Sequence, residues 1–166
     1  MPLSSFMGIR YYAYPVDPEL IEHARHTPWD FLSDDPLMDA WGPEAGRPEM
    51  LYLDKSWWEL QRLLGAVPGE TGSPAAELVR GQVREHAMGW YSFVRVLAPD
   101  EVSRIAIDLQ TVNEGDVRRS LQENGSQFGR RDIEGDVRHV LQYLQDATSF
   151  TGEMARTGRG LIYLIG

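Results

Sequence analysis

Asp54, Lys55, Trp58, Tyr91 and Arg95 form the best constellation for chemistry in this chain, combining a carboxylate, an ammonium, a guanidinium and two aromatic rings with polar handles. Brought together, they would line a polar pocket for an anionic small molecule. Lys55 is the only lysine beside fifteen arginines, which suggests a need for a compact ammonium rather than a planar guanidinium at that position. The competing reading is a solvated side chain in a weak i,i+4 pair with Glu59. Arg95 interrupts an apolar run, so it either reaches an end of the sheet and solvent or pairs with a carboxylate, because an unpaired buried guanidinium is too costly. No Ser-His-Asp spacing and no phosphate loop is recognisable. His23 and His26 share an i,i+3 spacing but lack a third ligand, and they read as solvated histidines near a helix C-terminus. With zero cysteines, disulfides, zinc–thiolate sites and cysteine nucleophiles are excluded. No metal and no cofactor is expected.

These residues need elements to position them. In Leu51 to Gly65 an apolar stretch meets Asp54, which is placed to cap a helix, and Gly65 is placed to end that helix with positive φ. At 100° per residue Trp57, Leu60, Leu63 and Leu64 share one apolar arc, and Trp58 lies off it. Upstream, Gly8 to Val16 reads as a strand stopped by Pro15, with Ile9, Tyr11 and Ala13 on one face and Arg10, Tyr12 and Tyr14 on the other. A short helix follows Asp17-Pro18-Glu19. Residues 27–50 carry four prolines, with Trp29, Phe31 and Trp41 among Asp30, Asp34, Asp35 and Asp39. They form a long excursion, either a lid or a loop pinned by its rings.

Further on, Pro74 to Arg80 reads as a short helix. Gly89 to Leu97 reads as one strand, apolar on both faces and therefore interior. Val102, Ile105, Ala106 and Leu109 mark a helix opened by Pro99. Asn113 caps another, and Ile133, Val137, Val140, Leu141, Leu144 and Thr148 trace a long one. Leu161 to Ile165 is a final apolar strand. Strands and helices without a regular βαβ period favour an α+β single domain, with a small, mostly antiparallel or mixed sheet and helices packed against it.

The length of 166 residues, with 42% hydrophobic and 25% charged, suits one globular domain. No apolar run is long enough to span a membrane, and the N-terminus lacks a signal-peptide pattern, so a cytoplasmic location is the default. The net charge of −9 is concentrated in residues 1–115, which hold 18 acids against 9 bases. No basic footprint for nucleic acid is apparent, whereas an acidic surface suits a basic protein partner.

Three stretches together resemble the YfbM-like family, bacterial proteins grouped under a domain of unknown function. They are Met7-Gly8-Ile9-Arg10-Tyr11-Tyr12, Leu53-Asp54-Lys55-Ser56-Trp57 and Val94 to Val102. The resemblance implies an α+β domain over residues 7–166, leaves residues 1–6 as an N-terminal extension for which disorder is allowed, and supplies no catalytic residues. Trp58 stands where many relatives carry His, so a role for that histidine could not operate here. Ala98 replaces a Thr cap, and the proline-rich excursion looks enlarged. Two readings follow. One is a non-catalytic protein-binding module with an acidic surface, immunity- or antitoxin-like or regulatory; the alternative is a small-molecule binding protein or enzyme with a pocket around Asp54, Lys55, Trp58 and Arg95.

Overall fold

The final strand, β6 (Gly160–Ile165), is buried along its whole length because it has neighbours on both edges and layers on both faces. A computed structural model describes residues 8–127 and 132–166. The expected extension at residues 1–6, and the end of the connection at 128–131, lie outside the described residues. In the main sheet β6 pairs antiparallel with β1 (Tyr11–Val16) on one side and with β5 (Phe93–Leu97) on the other, and β2 (Leu51–Asp54) adds to the far side of β1. The order is β2-β1-β6-β5. A separate hairpin joins β3 (Arg84–His86) to β4 (Gly89–Tyr91).

Strand alternation divides the core in two. Ile9, Tyr11, Ala13, Leu51, Leu53, Leu161, Tyr163 and Ile165 face the larger layer. That layer contains α3 (Trp57–Leu64), α4 (Pro99–Leu109), α5 (Glu114–Asn124) and α6 (Ile133–Arg156). Tyr12, Tyr14, Val16, Ile162 and Leu164 face the smaller one, built on α1 (Ile21–His26) and α2 (Pro36–Trp41). This is one compact α+β domain.

The helical periodicities hold in detail. Val102, Ile105, Ala106 and Leu109 are all buried, Asn113 Oδ1 accepts the Asp116 N–H at 3.0 Å, and Gly65 ends α3 at φ +76°. Glu101 supplies half of a capping box by accepting the Ala98 N–H at 3.3 Å, while the alanine has no oxygen to return the bond.

Several expectations change. Pro15 does not stop β1, because residues 10, 12, 14 and 16 bond to β6 whereas 11, 13 and 15 turn their N–H positions toward β2. Since β2 ends its pairing at Ala13, the N–H missing from Pro15 deprives no ladder bond. The strand expected over Gly89–Leu97 breaks at Ser92: Phe93 pairs with Ile165, the last residue of β6, so the segment before it folds back on residues 84–86 instead. β5 is an edge strand rather than an interior one. Its apolar faces reflect layers above and below, not strands on either side. Pro74–Leu78 is a 3-10 turn. Asp54 does not cap α3; Ser56 occupies that position without a side-chain bond, and its hydroxyl has no partner among the described residues.

The 27–50 excursion contains a 3-10 turn (Pro28–Phe31) and α2, and it covers the second face of the sheet. Its own Leu32 and Ala40 are buried and Phe31 is half-buried; Trp29 is mostly exposed, whereas Trp41, also mostly exposed, still holds the excursion to β2 through its indole N–H.

Candidate functional site

Asp54 is the only described non-glycine residue with positive φ, at +50°. Its strain arises where β2 bulges: Tyr12 faces Tyr52, while Tyr11 faces Asp54, so one extra residue re-aims the chain out of the sheet toward α3. Short polar residues tolerate this left-handed conformation better than others, and Asp54 also gains an ion pair with Arg10, whose Nε lies 3.2 Å from its carboxylate.

Aromatic side chains gather around that pair. Trp41 Nε1 donates to the Tyr52 hydroxyl at 3.1 Å, the Arg10 guanidinium carbon lies 5.3 Å from the Trp41 ring, and the Tyr12 and Tyr52 rings stand 5.5 Å apart. Tyr143 approaches from α6. Burial, reinforced by the Asp54 charge, pushes its hydroxyl up to about 12 and raises that of Tyr52 as well. Both phenols therefore stay protonated at neutral pH, and both direct their O–H groups to the Asp54 carboxylate. They open onto a cleft of about 460 Å³ between the β2 edge, residues 40–50 and α6, a size in the usual range for small-ligand sites.

The five residues singled out from the sequence fall into two groups. Asp54 and Lys55 adjoin at the end of β2, with Trp58 one turn on. The Lys55 carbonyl accepts the side-chain amide of Gln127, and its ammonium forms no ion pair among the described residues. The Trp58 ring carries the Arg62 guanidinium carbon 3.4 Å from its centroid. Tyr91 is on the hairpin, its ring 4.6 Å from that of His86. Arg95 projects from the opposite edge of the sheet and onto the other face. It bonds to Glu77 at 2.5 Å and lies 3.7 Å from Glu101. Three strand spacings separate its strand from β2 by roughly 14 Å. Of the two alternatives for Arg95, carboxylate pairing is the one observed.

The match to the family described as Domain of unknown function (DUF1877) runs over residues 7–164. The chain belongs to this family. Its fold is also similar to that of the protein of unknown function YfbM from Escherichia coli, with a TM-score of 0.62 and 20% identity over 95% of this chain and 99% of that one. At that identity the likeness bears on the fold alone. No curated protein matches the chain. Among the described residues no helix is long and apolar enough to cross a membrane. No three His, Cys, Asp or Glu side chains there are grouped to hold a metal, and His23 lies 3.5 Å from Asp30 instead.

Glu59 escaped sequence reading because it looks like an ordinary helix-surface charge. It is only 3% exposed, and its carboxylate accepts the backbone N–H of Gln127 at 3.0 Å, the Gln127 side chain at 3.1 Å and the Ser126 hydroxyl at 3.4 Å. It thereby ties α3 to the connection after α5. Burial raises its pKa above the ordinary carboxylate value, although these bonds oppose the shift. A raised folded pKa means that the native state holds the proton more tightly. The resulting stabilisation is complete below the unfolded pKa and is lost as pH rises through the folded value. Wild type should therefore lose stability relative to Glu59→Gln as pH climbs from about 4 to 7. Paired urea melts across that window check it, and the opposite trend would contradict the assignment.

Proposed function

We propose that this chain is a non-catalytic protein-binding module whose docking face is the outer surface of residues 27–50, and that its partner is a basic protein. The observation that carries the reading is the exposure of Trp29, Met38 and Trp41, at 62%, 61% and 59%, on a segment holding six acids and a single base, Arg47. Large exposed apolar side chains supply anchors that bury well against a partner. The surrounding carboxylates steer a basic surface into contact and disfavour an acidic one. Asp34 and Glu44 are both exposed, and among the described residues neither carboxylate has an ion-pair partner.

Affinity capture from the source organism's extract tests the proposal with two double variants, Trp29→Ser/Met38→Ser and Asp34→Asn/Glu44→Gln. The expected result is a basic protein held by wild type and weakened about tenfold by the first variant. The second variant and an increase in salt should weaken capture in parallel, since exposed charges are screened over ~8–10 Å. If wild type captures no protein that the variants lose, the proposal fails.

A further inference from the structure

The cleft beside β2 carries a second, independent inference. Three successive positions on one face of α6, Tyr143, Asp146 and Phe150, form one wall. Met50 and Leu51 give it an apolar floor, and Arg47 stands on the loop opposite. Arg47 donates to the Ala40 carbonyl and has no carboxylate partner among the described residues. The contact seen for the Asp146 carboxylate comes from the neutral Gln142 amide, at 3.0 Å. Opposite charges thus line one cleft without pairing with each other.

We infer that this cleft binds a small zwitterion of the α-amino-acid class with an apolar side chain. The ligand carboxylate would lie against Arg47, its ammonium against Asp146, and its side chain on Met50, Leu51 and Phe150. A plain anion fits less well, because it would add negative charge beside Asp146. A plain cation fits less well for the converse reason at Arg47. Burial holds the Asp146 carboxyl above its ordinary range, as expected for a carboxylate lacking a cationic partner.

Calorimetric titration of the full chain with L-phenylalanine, L-leucine, 3-phenylpropionate and 2-phenylethylamine separates these cases. At least one amino acid should bind with a Kd of about 10 mM or tighter, and each singly charged analogue should bind about tenfold more weakly than L-phenylalanine or not at all. Arg47→Met should abolish amino-acid binding while sparing any residual affinity for the amine. Asp146→Asn, which keeps a partner for Gln142, should spare the carboxylate instead. Thermal melts confirm that both variants fold. The inference is overturned if neither amino acid binds wild type, if all four compounds bind alike, or if folded Arg47→Met and Asp146→Asn bind as wild type does. Because neither Trp29 nor Asp34 lines the cleft, failure here leaves the protein-binding reading untouched, and failure of that reading leaves this one.

Discussion

Trp57→Ala lowers the unfolding free energy by about 3–5 kcal/mol, the range for truncating a fully buried large aromatic. Its indole is 1% exposed within the core of the larger layer. Its Nε1 donates to the Ile9 carbonyl at 2.9 Å. Truncation therefore opens a cavity and also orphans a buried acceptor at the entry to β1. The site has little freedom to collapse. On one side, β1 is held by pairing with both β2 and β6; on the other, Gln61 and Glu59 tie α3 to separate segments of the chain. Urea melts at constant m-value measure the loss, and a change below about 1 kcal/mol would mean that α3 is not a core element. The adjacent Trp58→Ala provides the contrast. Its ring is half-buried and stacked under Arg62, so the expected cost is about 1 kcal/mol.

Helix faces were legible in the sequence because their period samples burial directly. The rows through Val102, Ile105 and Leu109, and through Val137, Val140 and Leu144, are buried as spaced. Strand position was less legible. The alternation of Val94 and Val96 with Phe93 and Leu97 reports that layers lie on both faces of β5, and contains nothing about lateral neighbours. The strand order depends on where the C-terminal β6 inserts, a long-range choice with no local signature. The same holds for the polar cluster around Asp54. Arg10, Tyr12 and Tyr52 could be assigned to strand faces by parity, but Trp41 arrives from an irregular excursion and Tyr143 from a distant helix. The sequence also offered no reason to separate Arg95 from Lys55, since only the pairing order places them at opposite edges. Asp54 was misread as a helix cap because aspartate before a helix suits either a cap or a left-handed turn. Which role it takes depends on Arg10, 44 residues away.

Gln61→Leu should cost about 2–4 kcal/mol, even though leucine keeps similar volume in the core. Residues 77–81 leave the 3-10 turn without joining a sheet, yet their carbonyls point inward and need donors. Side chains from other elements supply them, Arg95 among them, with Nη1 3.4 Å from the Glu77 carbonyl. Tyr11 donates to the Leu78 carbonyl at 2.8 Å. Tyr163 donates to those of Glu77 and Arg80, at 3.1 and 2.6 Å. Gln61 Nε2 reaches those of Val79 and Gly81, at 2.8 and 2.7 Å. Replacing that amide with an apolar group orphans two acceptors, each worth about 1–3 kcal/mol when left unsatisfied in a buried site. Tyr163→Phe should cost less, because Arg95 still donates to the Glu77 carbonyl and only that of Arg80 is orphaned. The double variant should lose less than the sum of the single losses, because water that reaches the segment after the first change also solvates carbonyls freed by the second. Urea melts give the three stabilities, and amide exchange locates the opening. The expected pattern is faster exchange at 78–82, with protection in α6 falling only by the global loss. A Gln61→Leu cost below about 0.5 kcal/mol would show that the segment finds other donors.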